Sequence, residues 1–542
     1  MHKFIYNKKR EYDSYAQRSV IMGCKGMVAS SQSLATLSGY KALNKGGNAI
    51  DACVAMLSTQ SVVEPHSVGI GGDCFALIYI NNSNKLIGLD GSGRSAQLAT
   101  IEKIKNIGYN QIPERGILTA TVPGALKAWS DAVDKYGHME FADLLCDAIY
   151  YAENGFPVTE VISGEWKNAE EILRNNEYAS TSYLRNGFAP SPGQLFKNEN
   201  IANTFKKISE HGTDVFYHGE LADKIDQYSK KMSGLIRKED LEKHKSIWVE
   251  PISIDYRGLK LYEMPPPCQG VTALEILNIM KEFDFSNTDH NSSDYLHKLI
   301  ESKKIAYANR DKYITDPEFH EYLIEILQSA KYIEECREII ENNIAYDYKP
   351  YSNITNNNET VYVTAVDKHG NVASFISSIF MHFGSGDVVY DTGIVLQNRG
   401  TSFSLNENHR NKLEPSKRTM HTIIPAMLFQ NNKPILSFGV MGGDMQPQGH
   451  VQLICNIVDF NMNIQEAVDA PRIRHFNGKQ VHLEDGITEN VKNELSEKGH
   501  LIDSSKYNIN MVGGAQAIYI DRFNNTILGA SDRRKDGCAI GY

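Results

Sequence analysis

A threonine that begins a chain carries a nucleophile and a base on one residue, because its own α-amine can take the proton from its hydroxyl. Thr360 is placed to become such a residue. It stands in NNNETVYVTAVDKHGNVASF, residues 356–375, where three asparagines and a glutamate give way at once to a strand pattern. A cut after Glu359 would free an amine that titrates at about 7.7–8.0 and is therefore partly neutral near physiological pH. The plainer reading of these residues is a loop-to-strand junction with a structural threonine. Acyl transfer also needs donors for the developing oxyanion, and FGVMGGDMQPQGH, residues 438–450, ends an apolar strand with Gly442-Gly443. Adjacent amides there would contribute about 3 kcal/mol per donor; a simple strand-to-helix turn accounts for the glycines equally well.

Other chemistries find little support. VGIGGD, residues 68–73, runs into a strand instead of joining a strand to a helix, so it fails the dinucleotide fingerprint. The phosphate-loop, H-E-x-x-H and G-x-S-x-G patterns are missing. The histidines form no spaced ligand set, and the eight cysteines, scattered without a C-x-x-C pair, read as reduced thiols. No metal and no cofactor are expected. A net charge of −10 without a basic stripe argues against nucleic acid. No stretch reaches the roughly 18 apolar residues of a membrane span. MHKFIYNKKREYDSY has no apolar signal core, which leads to the expectation of a cytoplasmic protein.

The elements that must position these groups follow from periodicity. QSLATLSGYKALNKGG and NAIDACVAMLSTQSVVEP read as two helices over residues 32–63, closed by Pro65, and DCFALIYI with KLIGLDGSG as a strand pair. Residues 101–345 read as mainly helical, interrupted by FAPSPGQ and MPPPCQG. After residue 360 come strands in TVYVTAV, NVASFISSIF, TGIVLQN and PILSFGVMGG, a helical stretch over 449–471, and a closing pair, AQAIYID with TILGASD. Strands in some blocks and helices in others suggest stacked antiparallel sheets with helices outside, an α/β (α+β) architecture. DYKPYSNITNNNE, residues 347–359, is the best linker candidate.

GMVASSQSLATLSGYKALNKGGNAIDACVA, VEPHSVGIGGDCFALIY, ETVYVTAVDKHGNVASF, VMGGDMQPQGH, EAVDAPRIRH and GASDRRKDG, in this order from residue 26 onward, resemble the γ-glutamyltranspeptidase family. The resemblance implies an N-terminal-nucleophile hydrolase sandwich, αββα. It also implies a precursor that cuts itself into a large subunit, 1–359, and a small subunit, 360–542, which stay together; a further homo-oligomer is left open. By the same resemblance Thr360 is the nucleophile, Ser378 the hydroxyl that bonds it, and Gly442 and Gly443 the oxyanion pair. The implied substrate is a small amide, with water or a second amine as acceptor.

The chain departs from the family's type members at the substrate head group. The arginine of their RETAP element aligns with Gly93, with Arg94 one place on. The asparagine after the hydroxyl helper is Phe380, and the carboxylate that meets a substrate ammonium is Ser402 in QNRGTS. Arg399 replaces a neutral residue, and a serine pair becomes His421-Thr422. Arg94 and Arg399 would suit an acyl group that carries a carboxylate; the plainer reading is that each pairs with local acids. The expected activity is self-processing amidohydrolysis of γ-glutamyl amides such as glutathione. The alternatives are a small acidic amide such as oxamate, an acylase substrate, or an inactive scaffold relative.

Overall fold

The computed structural model describes residues 15–16, 18–320, 329–348, 360–503 and 509–542. Two seven-stranded antiparallel sheets dominate it. One runs in the order 538–541, 27–30, 361–366, 372–378, 73–80, 85–91, 247–249; the other in the order 21–23, 526–531, 515–521, 433–440, 426–430, 259–263, 252–256. The central strands Val361–Val366, Val372–Ser378 and Asp73–Ile80 are buried on both faces nearly throughout, as expected where each sheet is covered on both sides.

Between the sheets lies a core that includes Met27, Phe75, Leu77 and Tyr362 from one side and Met427, Phe429, Ile518 and Ile527 from the other. Outside the first sheet pack helices Ser33–Asn44, Ala49–Val63 and Ala125–Tyr136. Outside the second pack helices Gly270–Met280, Ser293–Tyr313 and Met445–Val458. The result is four layers, αββα, as read from the sequence. Helix Ala49–Val63 is buried along its whole length, with Asn48 and Asp51 forming a capping box at its start. No helix among the described residues is long and apolar enough to cross a membrane.

The strand pairs read near residues 73–91, 361–378 and 515–531 are present in antiparallel register. The reading of 101–345 as mainly helical missed, besides the two-residue pair Phe156–Pro157 with Leu195–Phe196, three strands of the main sheets, Ile247–Val249, Ile252–Tyr256 and Leu259–Glu263. The first extends one sheet and the other two, turning at Arg257 (φ 55°) and Gly258 (φ 79°), extend the other. ISIDYRGLKLY alternates as a hairpin should; the helical stretches on either side masked it. TGIVLQN supplies only Ile394–Val395, half of a two-strand ribbon with Val388–Val389. The 449–471 stretch is two helices, Met445–Val458 and Ile464–Asp469. Residues 349–359 of the linker, Glu359 included, lie outside the described residues.

Both sheets take strands from either side of residue 360. The C-terminal GASDRRKDG segment locks them further. Asp532 accepts from Arg472 at 2.7 Å, from Arg534 at 3.0 Å and from the Ala515 amide at 2.8 Å, and Arg534 also pairs with Glu484. Burial pushes the Asp532 carboxyl up, but the two guanidiniums outweigh it and hold it at about 2. A carboxylate depressed in the fold stabilises above its unfolded value, near 4, and that contribution is lost as pH falls through about 2. Asp532→Asn, which leaves buried guanidiniums short of charge, is expected to cost about 3–5 kcal/mol in denaturant unfolding. It should also flatten the loss of stability between pH 4 and 2.

Candidate active site

Thr360 immediately precedes strand Val361–Val366, whose register with Val372–Ser378 pairs Val361 with Ser377. One step further, Thr360 faces Ser378, and its Oγ1 donates to Ser378 Oγ at 3.3 Å. Ser378 Oγ also accepts the Phe380 amide at 2.8 Å, so the helper hydroxyl is fixed from both sides. Thr360 is only 3% exposed. Beyond Ser378 the chain leaves the sheet abruptly: Phe380 has φ 79°, a left-handed conformation that costs a non-glycine residue of order 1–3 kcal/mol and marks functional sites.

The glycine pair arrives from the facing sheet. Thr364 Oγ1 shares a 2.7 Å hydrogen bond with Ser437 Oγ, and the Tyr362 ring lies where a side chain on Gly439 would be. Stepping from 364 through 362 toward 360 thus matches stepping from 437 through 439 toward 441. Thr360 and Gly442-Gly443 come to the same end of the sandwich. Gly442 (φ 112°) and Gly443 (φ 57°) link strand Lys433–Val440 to helix Met445–Val458 in a conformation that L side chains rarely adopt. Neither amide donates to an acceptor among the described residues. Two free N–H groups at a helix start suit an anionic oxygen.

Arg399 sits beneath this end and is fully buried. Its guanidinium stacks on Phe380 at 4.1 Å and donates through NH1 to Thr422 Oγ1 at 3.0 Å. Nε and NH2 have no partner among the described residues. Burial pushes Arg399 down to about 10 against the pull of Asp73 and Asp444, so it is charged at neutral pH. A cavity of about 470 Å³ is walled by Phe380 and Thr422, the two partners of Arg399, together with Ser402, Asp444, Arg310 and Glu114 among others; Thr360, Ser378, Arg399 and the glycine pair lie behind this wall. The structure therefore pairs Thr360 with Ser378 and Arg399 with Thr422, joins the two pairs through Phe380, and places Thr422 and Ser402 on the cavity wall.

Two expectations are corrected. Arg94 is held elsewhere: it donates to Glu318 at 2.7 Å, to the Ser416 carbonyl at 3.0 Å and to Asp316 at 3.3 Å, in a cluster that Arg418 shares with Asp90. Strong local acids capture it, as the plainer reading had it. His421 is fully buried and faces acceptors with both nitrogens, the Thr419 carbonyl and the Asp73 carboxylate, each at 2.8 Å. The imidazole braces the wall and is not among the residues that line the cavity.

Sequence reading missed Gln269, Arg310 and Asp444. Arg310 pairs with Asp444 at 2.5 Å and with Asp311, and Gln269 ties Gly443 to Thr422. Asp444 next to Gly443 was the available signal; Gln269 gave none beyond following a Pro-rich break. As for metals, His297, Glu301 and His500 lie together and buried. Lys304 already occupies Glu301 at 2.6 Å and the two imidazoles bond each other at 2.8 Å, while His297 Nε2 and His500 Nδ1 have no partner among the described residues.

Comparison with known proteins places these features. A family model described as Gamma-glutamyltranspeptidase matches residues 35–542. The chain is 37% identical to the glutathione hydrolase-like YwrD proenzyme of Bacillus subtilis, covering 96% of this chain and 99% of that one. It is 34% identical to the oxamate amidohydrolase proenzyme of Klebsiella pneumoniae, covering 95% and 98%. Its fold superposes on the crystal structure of a cephalosporin acylase from Bacillus halodurans with a TM-score of 0.92, at 41% identity over 99% of both chains.

Arg94→Ala is expected to leave KM within about twofold and to lower the unfolding midpoint by roughly 1–3 °C, the scale of a partly exposed ion pair in a chain this size. A KM rise beyond about tenfold would return Arg94 to the site.

Proposed function

The chain belongs to the γ-glutamyltranspeptidase family, an enzyme with the αββα sandwich of N-terminal-nucleophile hydrolases, and we propose that it is a self-processing threonine amidohydrolase for small amides whose acyl group carries a carboxylate. In maturation Thr360 Oγ attacks the Glu359 carbonyl, the peptide nitrogen leaves as the Thr360 α-amine, and water opens the resulting ester to release the Glu359 carboxylate. In turnover the α-amine takes the Thr360 hydroxyl proton as Oγ attacks the substrate carbonyl. The Gly442 and Gly443 amides hold the oxyanion, and the proton passes to the departing amine. Water, activated by the same amine, hydrolyses the ester, or a second amine takes the acyl group. Ser378 keeps the hydroxyl aimed through its hydrogen bond to Thr360 Oγ1.

The observation that carries the substrate class is Arg399. A buried guanidinium with two nitrogens unpartnered among the described residues is costly unless an anion meets it, and guanidinium grips carboxylate through paired N–H groups. γ-Glutamyl amides such as glutathione fit that demand and are the leading reading. Ser402 and Phe380, neither able to neutralise an ammonium, favour a second one: a short carboxylate-bearing amide without an amino group, such as oxamate.

The purified wild-type chain is expected to resolve on a denaturing gel into fragments 1–359 and 360–542, with Thr360 at the start of the second. Thr360→Ala should remain whole and inactive; cleavage at the same bond in that variant would refute the scheme. Amine release from glutathione, γ-glutamyl anilide and oxamate, measured side by side, separates the two substrate readings. Arg399→Met should raise KM on the order of tenfold to a hundredfold, the worth of a charge-assisted pair. The rate should fall as pH drops below about 8, where the α-amine becomes protonated and ceases to be a base.

A further inference from the structure

Gln269 stands at the start of helix Gly270–Met280 and is fully buried. Its Nε2 donates to two carbonyl oxygens, Thr422 at 2.6 Å and Gly443 at 3.1 Å, and its Oε1 accepts Arg310 NH1 at 2.9 Å. The Arg310 contact fixes which end of the amide is oxygen, because a guanidinium only donates. Arg310 is itself immobilised by Asp444 and Asp311, and the Tyr348 hydroxyl closes the chain on Asp311 at 2.6 Å. Tyr307 donates to the Asp444 carbonyl. One side chain therefore spans the two walls of the site, the glycine turn on one and the loop carrying Arg399's partner Thr422 on the other.

The walls do not depend on it equally. Thr422 lies beside a backbone bridge, Gln269 N to the His421 carbonyl at 3.0 Å and His421 N to the Pro267 carbonyl at 2.8 Å, and its hydroxyl is held by Arg399. The Gly443 carbonyl has, besides the carboxamide, only the Gln446 amide of its own helical turn at 3.0 Å among the described residues. At positive φ, with no side chain to pack, Gly443 is the more easily turned of the two.

We infer that Gln269 is a positioning residue for the oxyanion turn, its carboxamide setting the direction of the Gly442 and Gly443 amides relative to the Thr422–Arg399 wall. The inference rests on the reading of Thr360 as nucleophile and of those amides as its oxyanion donors. Misplacement of such donors by about 1 Å costs on the order of a hundredfold in rate, while an acyl carboxylate gripped by Arg399 is bound in the ground state and transition state alike. The loss should therefore fall in kcat.

Gln269→Glu keeps the volume and the acceptor for Arg310, but it removes both N–H donors and turns a carboxylate oxygen toward two carbonyls. Gln269→Met removes the donors without that repulsion. With γ-glutamyl anilide as probe, or oxamate if it is turned over faster, both variants should lose about tenfold to a hundredfold in kcat with KM within about threefold. Their self-cleaved fragments should be retained. A kcat within twofold of the parent in both, a loss carried in KM, or failure of both to yield the folded heterodimer each overturns the positioning role. Thr360→Ala run beside them separates the premises. Activity surviving there overturns the nucleophile itself; its loss, with the Gln269 variants fully active, overturns this inference alone.

Discussion

The hydrogen bond between Thr364 and Ser437, 2.7 Å across the space between the sheets, is the contact on which the site's geometry depends. Together with the Tyr362 ring laid over Gly439 it sets how one sheet slides along the other. Because strand side chains alternate with a period of two, a slip of one residue would turn Thr364 away from Ser437 and move the Thr360 end of one strand off the Gly442 end of the other. Gly439 is where a larger residue would prevent the fit, since any Cβ there would lie 2.4 Å from the Tyr362 ring. The covered faces hold this register: the outer helices keep both sheets buried, so the two layers meet as rigid surfaces.

That architecture also explains how a chain cut beside residue 360 would stay whole. Strand Val361–Val366 lies between Met27–Ser30 and Val372–Ser378, and the latter lies against Asp73–Ile80, so the two sides of the proposed cut alternate within one sheet. A break after Glu359 falls before the first ladder pair, Val361 with Ser377, and removes none of these bonds. The Tyr348 hydroxyl on Asp311 would anchor the upstream end close to Arg310, a group of the cavity wall. On the proposed scheme, maturation frees an amine and leaves the scaffold that aims it intact.

The parts legible in the sequence were those governed by local periodicity and by short motifs. The strands around 73–91 and 361–378, the buried helix over 49–63 and the closing hairpin each announce themselves within a dozen residues, and Thr360, Ser378 and the glycine pair sit at the ends of such elements. The hairpin Ile252–Glu263 was overlooked because its alternation is short and lies among helices. Arg94 and His421 were misjudged for another reason: a motif fixes where a backbone passes, whereas a side chain goes to its strongest partner. For Arg94 that partner includes Asp316, 222 residues away, and for His421 it is Asp73, 348 residues away. Gln269 was invisible on the same ground, since its two carbonyl partners are 153 and 174 residues distant. What a local pattern cannot carry is the pairing of polar groups across the core, and a buried site consists of little else.

Arg399 shows what such pairing leaves undone. Arg310 meets Asp311 and Asp444, Arg418 meets Asp90 and Asp316, and Arg472 and Arg534 share Asp532, so four other buried arginines are each matched to carboxylates. Arg399, equally buried, has a hydroxyl and an aromatic face instead. A ring quadrupole and one neutral acceptor recover only part of the hydration that a guanidinium loses. Asp73, the carboxylate that pulls most on Arg399, is engaged by His421 and the Gly93 amide. One carboxylate would meet the two Arg399 nitrogens that have no partner among the described residues. Arg399 thus carries an imbalance that these four do not, and it lies beside Phe380, the residue that bonds the proposed nucleophile's helper. On the proposed reading, stability withheld there is free energy that an acyl carboxylate recovers on binding, which would tie selectivity for an acidic acyl group to the same end of the sandwich that the Thr364–Ser437 register assembles.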